Sequence, residues 1–250
     1  MAKLKAAFIT DVHYGFDIGN NLGSKAPRLM KAFIRAVNKF LPDIIIDGGD
    51  RVSAKSEERD RRHTNEYLRH FNEAAAPLEY IDGNHDAKNL GRRPSYSKDI
   101  GGFHLVFWNP NVDIPKTGLR LDAADLEWLR RDLAKTDKKT ILFSHVPLDN
   151  VREDEETGID RRFYYGEGGK ARQILEESGK IVLCLHGHHH RNRHREINGI
   201  HYITQQSFTQ EWREKYRIPA GAFSFIEADD DKITIRLQGK HKKTYELNLI

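Results

Sequence analysis

Residues 6–13 read Ala6-Ala7-Phe8-Ile9-Thr10-Asp11-Val12-His13, an apolar, β-prone run that ends in a carboxylate and an imidazole two positions apart. The pattern recurs along the chain. Ile44 to Ile46 leads to Gly49-Asp50, and Leu78 to Ile81 leads to Gly83-Asn84-His85-Asp86. Thr140 to Phe143 leads to Ser144-His145, and Ile181 to Leu185 leads to His186-Gly187-His188-His189-His190. Each reads as a strand handing over to a polar loop. Between the first of them, Leu29, Phe33, Ala36, Val37 and Phe40 are spaced for a helix. Alternating strands and helices over residues 4–80 predict right-handed crossovers and an α/β chain. In an open α/β sheet, ligands gather outside the carboxyl ends of the strands. Five polar tips at five such ends predict one shared site.

The donor types narrow the chemistry. Carboxylate, imidazole and amide oxygen together suit first-row divalent metals, and the donors outnumber what one ion needs. Asp11 and His13 flank Val12; if the extended geometry continues, their side chains share a face. His188 and His190 have the same spacing. Asp50 is the best bridge between two ions, because a carboxylate can hold both and Gly48-Gly49 allows a tight approach. Taken singly, each piece has an ordinary explanation. Asp50 is a turn residue, Asn84 an Asx turn with Gly83, and the His cluster a polyhistidine-like stretch. Their joint occurrence favours a two-metal site.

The ordered set D-x-H, G-D, G-N-H-D, H and G-H-x-H, from residue 11 to residue 190, resembles the calcineurin-like metallophosphoesterase family. The resemblance implies a four-layer α/β/β/α sandwich, in which two packed mixed β-sheets are flanked by helices. It also implies a hydrolase that cleaves phosphate esters with two divalent transition-metal ions, Mn, Fe, Zn or Co. It assigns Asp11, His13, Asp50 and His190 to one ion, and Asp50, Asn84, His145 and His188 to the other. His186 and His189 are left as supporting or solvent-facing residues. His85 is expected to face the substrate, with Asp86 accepting its other ring N–H. The reaction expected is in-line attack on phosphorus by hydroxide generated at the metal pair. Arg51, after the G-D element, departs from the apolar residue common in the family. It reads either as a phosphate contact or as solvent-facing. The layout is most similar to bacterial cyclic-nucleotide and glycerophosphodiester phosphodiesterases, so a small phosphodiester is the expected substrate. The alternatives are a phosphomonoesterase, a nuclease and an inactive scaffold with the same fold. Arg92, Arg93, Arg161 and Tyr164, in two long irregular segments at 87–102 and 148–169, are the candidate substrate contacts. Such segments commonly act as lids.

Composition sets bounds and adds little to function. With 250 residues, 38% hydrophobic and 31% charged, the chain is expected to form one soluble domain. Its ligand-bearing core would span 4–190, and hairpins in 195–250 would complete the sheets. A net charge of +4 does not call for a nucleic-acid partner. Arg191, Arg193 and Arg195 read as a solvated strand face. No apolar run is long enough for a membrane span or a signal-peptide core, so the expected compartment is the cytoplasm. The one cysteine, Cys184, cannot form a disulfide within the chain and reads as a small buried hydrophobe. Further helices are predicted over Thr64–Ala76, after Asp122, and over Lys170–Glu177. Asn198-Gly199 and Asp229-Asp230-Asp231 mark hairpins. No catalytic residue is evident beyond His190, and the sequence does not speak to oligomeric state.

Overall fold

Strand β1 (Lys3–Ile9) places Leu4, Ala6 and Phe8 on one face and Ala7 and Ile9 on the other, and all five are buried. A strand covered on both sides reads as a continuous apolar run, which is why residues 6–9 show no polar alternation. The computed structural model of the protein describes residues 3–110, 119, 121–149, 165, 168–211 and 218–249. After β1 come a short ribbon of β2 (Asp17–Ile18) and β3 (Asn21–Leu22), then α1 (Ala26–Phe40), β4 (Ile44–Asp47), α2 (Glu57–Arg69), β5 (Leu78–Tyr80) and α3 (Asn84–Leu90). Next are β6 (Tyr96–Ile100), β7 (Phe103–Phe107), α4 (Ala123–Ala134), β8 (Thr140–Phe143), α5 (Gly168–Ser178) and β9 (Ile181–His186). The chain closes with β10 (Arg193–Ile197), β11 (Ile200–Thr204), β12 (Phe223–Asp229), β13 (Lys232–Gln238) and β14 (Lys243–Asn248).

The strands form two six-stranded sheets, ordered β14-β13-β12-β1-β4-β5 and β10-β11-β9-β8-β7-β6. In the first sheet β1, β4 and β5 run parallel while β12, β13 and β14 pair antiparallel beside them. In the second, β11, β9, β8 and β7 run parallel and the edge strands β10 and β6 pair antiparallel. Leu4, Phe8, Ile44, Ile46, Leu105, Phe107, Phe143, Leu183 and Ile235 pack between the sheets. The opposite faces carry helices. Ala7, Ile9 and Ile45 meet Met30, Phe33, Val37 and Tyr67 of α1 and α2. Val106, Leu142 and Cys184 meet Leu129, Leu133 and Leu175 of α4 and α5. This is the four-layer sandwich. Each of the larger aliphatic and aromatic side chains so enclosed contributes roughly 1.5–3 kcal/mol of transfer free energy. Cys184, on β9, is buried against α4 and α5, and burial pushes its thiol pKa well up.

Some expectations need correcting. Helix α2 begins seven residues before Thr64, where Ser56 Oγ accepts the Arg59 N–H and Glu57, Glu58 and Asp60 fill the first turn. It ends at Arg69, followed by a short 3₁₀ turn to Glu73. Segment 87–102 is not an irregular loop: it holds the end of α3 and then β6, which pairs antiparallel with β7. Segment 148–169 lies mostly outside the described residues. The hairpin at Asn198-Gly199 forms as expected, with φ of 51° and 78° at its two central residues. No helix among the described residues is long and apolar enough to cross a membrane.

Candidate metal centre

Strands β1, β4 and β5 of one sheet and β8 and β9 of the other end at a common edge, where their loops are stitched together. Asp11 N–H donates to Gly49 O (2.9 Å) and His13 N–H to Asp50 O (3.0 Å), so pairing continues past the ends of β1 and β4. In the second sheet Gly187 N–H donates to His145 O (3.0 Å). The side chains that result form two groups sharing Asp50. Asp11, His13, Asp50 and His190 are one, and Asp50, His145 and His188 are the other; within each, donor atoms lie within 4.8 Å of one another.

The backbone that achieves this is not extended. Asp11, His13, Asp50, His188 and His190 all have positive φ, at 53°, 46°, 55°, 66° and 55°. The expectation that His13 and His190 share a face with their partners through strand geometry is therefore corrected. Left-handed residues alternate with ordinary ones, and the chain coils around the site. Such conformations cost side-chain-bearing residues energy and collect where surrounding structure over-determines them. Two glycines make room. A Cβ at Gly83 would run into the Asp50 carboxylate, and one at Gly187 into Thr10 and Asp11.

The rings are aimed. His145 Nδ1 bonds Gly48 O (2.8 Å), His13 Nδ1 bonds Ser53 Oγ (3.1 Å), and His190 Nδ1 bonds Gln210 Oε1. In each case the outer nitrogen is occupied and Nε2 points inward. His13 Nε2 and His190 Nε2 are 3.2 Å apart. His190 Nε2 is 3.0 Å from Asp11 Oδ1, and His145 Nε2 is 3.2 Å from Asp50 Oδ2. Asn84 Oδ1 is buried with no hydrogen-bond partner among the described residues. Inward imidazole nitrogens, two carboxylates and an unpartnered buried amide oxygen are what a pair of divalent cations complements.

Electrostatics agree. Burial alone would raise the Asp11 carboxyl, but His190 and His145 outweigh it and hold the pKa low. Burial opposes Asp50 in the same way, and His145 and His85 pull it well below the usual carboxylate range. Burial and then His190 push His13 down to about 3, and burial with His145 lowers His188, so both rings are neutral, as ligands must be. His145 rises to about 10 and His190 also rises, because the nearby carboxylates overcome the effect of burial. Their protons carry positive charge that a bound cation would replace.

His85 sits at the rim. Its side chain is 39% exposed, its Nε2 lies 3.9 Å from Asp50 Oδ2, and its backbone N–H donates to Asp50 Oδ1 (2.9 Å). The expected bond from its ring to Asp86 is replaced by a different arrangement. Asp86 is fully buried and accepts N–H groups from Arg51 (3.0 Å), Val52 (3.4 Å) and Gly83 (3.0 Å). It supports the loops of Asp50 and Asn84 instead of acting on His85. Burial raises its pKa to about 7. Arg51 corrects both of its expected roles: it is buried, ion-paired with Asp82 and within 3.5 Å of Asp47 and 3.4 Å of Asp86. Arg92 is committed to Asp125 (2.7 Å) and Asn109 O (3.0 Å), and Arg93 lies over the Tyr80 ring at 3.5 Å, so neither is directed at the cluster. Arg161 and Tyr164 lie outside the described residues. His186 is buried against Ser144. The sequence reading misses Ser53, Ser207 and Gln210. The available signal was β11, whose tip is followed by a polar stretch beside that of β9.

Comparison with known proteins places these residues in a wider set. Among curated proteins, purple acid phosphatase 22 of Arabidopsis thaliana is 28% identical over 102 residues, which make up 38% of this chain and 20% of that protein. The chain thus spans about one fifth of the length of that relative. A dimetal phosphatase from Danio rerio superposes with a TM-score of 0.80 at 13% identity, over 99% of both chains. GAP50, described as the anchor in the inner membrane complex of Plasmodium, superposes at 0.66 and 13% identity, over 100% of this chain and 90% of that one. These structural likenesses speak for the fold alone. A model of the family described as calcineurin-like phosphoesterase matches residues 4–192, the stretch that carries every residue of the two groups. On that match the chain belongs to the calcineurin-like phosphoesterase family.

Proposed function

We propose that this protein is a two-metal hydrolase of phosphate esters that acts on small phosphodiesters. The observation that carries the reading is the place of Asp50, which belongs to both groups of donors and has the half-exposed His85 beside it. Asp11, His13, Asp50 and His190 would hold one ion, and Asp50, Asn84, His145 and His188 the other. Several imidazoles in the donor set favour Mn²⁺, Fe²⁺, Co²⁺ or Zn²⁺ over Mg²⁺. Two such ions would supply Lewis acidity to the phosphoryl group and water activation at neutral pH. His85 is placed to offset charge growing on the phosphoryl oxygens or to give a proton to the leaving alkoxide. Asp86 and Arg51 keep the loops of Asp50 and His85 in register.

Charge supports the diester reading. A phosphomonoester is largely dianionic at neutral pH, whereas a diester carries one negative charge. Arg51 is matched by three carboxylates, Arg92 by Asp125, and Arg93 stacks on Tyr80, so these arginines add little to phosphoryl binding. Arg193 and Arg195 are drawn to Asp149, which weighs against a basic track for nucleic acid. Cyclic nucleotides and glycerophosphodiesters are the leading classes. An inactive scaffold is the reading from another class, and the complete donor set together with His85 weighs against it.

The test is metal content of the purified protein, then kcat/KM for cyclic mononucleotides, glycerophosphodiesters, p-nitrophenyl mono- and diesters, and single-stranded DNA. Bound metal with diester turnover is expected. A monoester or DNA preferred by more than about tenfold, ~1.4 kcal/mol at the transition state, would sink the diester reading. Neither metal nor turnover would favour a scaffold.

A further inference from the structure

Beyond the span matched by the family lies Gln205-Gln206-Ser207-Phe208-Thr209-Gln210-Glu211, seven buried residues of which six are polar. Burying so many polar groups is unfavourable unless they are bonded, and where they bond is informative. Strand β11 lies parallel to β9, so its tip emerges beside the loop of His188 and His190; Gln205 N–H donates to His186 O (2.9 Å). The segment then crosses to the tip of β1. Phe208 N–H donates to Thr10 O (3.2 Å) and Ser207 Oγ to Asp11 O (2.8 Å). Finally Gln210 reaches back to the His190 ring through Oε1. Gln210 is itself held: its N–H donates to Ser207 Oγ (3.1 Å) and its carbonyl accepts from Gln206 Nε2 (3.4 Å). The same Gln206 Nε2 reaches Glu211 (3.0 Å), and Glu211 also bonds His241.

Two of the points that this strap grips, the Asp11 main chain and the His190 ring, belong to the same group of donors. With Gln210 Oε1 accepting a hydrogen bond from Nδ1–H, it is Nε2 of His190 that faces Asp11 and His13 and is left to bind an ion. Partners of this kind orient metal-binding histidines and raise their basicity. We propose that Gln210 is a positioning residue that sets the affinity of the ion held by Asp11, His13 and His190 without touching it. The proposal rests on the two-metal reading.

The experiment uses the full chain as wild type, Q210A and Q210E, each stripped with a chelator and titrated with Mn²⁺ by calorimetry, with thermal melts alongside. Wild type is expected to bind two ions. Q210A should weaken one of them roughly 10–100-fold and leave the other unchanged. Q210E keeps an oxygen acceptor for Nδ1 and should restore the weakened ion. Equal affinities in Q210A and wild type would overturn the proposal. So would equal weakening of both ions with a lowered Tm, which is the signature of lost packing. Wild-type protein that binds fewer than two Mn²⁺ would overturn the two-metal reading, and the role of Gln210 with it.

Discussion

Asp50 Oδ2 and His145 Nε2 lie 3.2 Å apart, although Asp50 follows β4 in one sheet and His145 follows β8 in the other. The candidate centre therefore spans the joint between the two sheets, and every donor depends on both being correctly packed.

Asp50→Ala should release both ions, because Asp50 is common to the two groups, whereas His85→Ala should keep both and lose most turnover. The proton transfer proposed for His85 would contribute about 10²–10⁴-fold. Elemental analysis of each variant beside kcat decides the matter; an Asp50→Ala protein with full metal content and normal turnover refutes the assignment.

Chelated protein should regain activity with Mn²⁺, Fe²⁺, Co²⁺ or Zn²⁺ and recover poorly with Mg²⁺, which prefers an all-oxygen, octahedral shell. A shell containing His13, His145, His188 and His190 would be too rich in nitrogen for magnesium. Separate add-back of each ion is the measurement, and full recovery with Mg²⁺ alone contradicts the donor set.

Arg51→Met should unfold the protein more easily without removing any donor. The buried guanidinium faces Asp47, Asp82 and Asp86, and its loss leaves carboxylates uncompensated. Breaking a buried ion pair by removing one partner costs about 3–5 kcal/mol, readable as a shift in denaturant midpoint. A midpoint within experimental error of wild type would mean that the three carboxylates take up protons at little cost.

Stability of the metal-stripped protein should peak near pH 6.5 and fall on both sides. His145 rises from 6.5 to about 10 on folding, so its stabilising contribution is complete below 6.5 and is lost as pH climbs toward 10. His13 falls from 6.5 to about 3, so the unfolded chain takes up that proton first and the fold weakens as pH drops through this window. Zn²⁺ or Mn²⁺ should flatten the alkaline side, because the ion takes over the charge of the His145 proton. Urea titrations at pH 5, 6.5 and 9, with and without metal, test this; an alkaline limb unchanged by metal would place the ions elsewhere.

The polar tips are legible because both halves of the signal are local: a β-prone run, then Asp, Asn or His. Helix α1 is legible for the same reason. The pairing of β1 with β12, Lys3 opposite Asp229, is a contact between distant segments, and no periodicity reveals it; the second sheet came only from the family resemblance. Arg51 reads as a phosphate contact or as solvent-facing, and Asp86 as the partner of the His85 ring, whereas both are buried together, which is rare for charged side chains. Their roles depend on how two loops close on each other. The start of α2 was present in Ser56 and the acidic first turn, but its apolar stripe begins only near Tyr67. Left-handed backbone at His13 and His190 cannot be deduced from side-chain chemistry, although Asp and His tolerate it better than branched residues do. Gln210 lies in a stretch with neither period nor motif, and only the parallel pairing of β11 with β9 brings it to the site.

The place of β1 between β4 and β12 also bears on how the molecule is made. Strand β1 gains one parallel neighbour after residue 47 but waits for residues 223–229 before its other edge is covered. Contacts this far apart in sequence slow folding, and an open strand edge invites association with other chains until it is paired. The nascent chain should therefore depend on protection of that edge until residues 223–229 have been made. Stable metal capture would then come late, since His190 precedes the closing strand by only a few dozen residues.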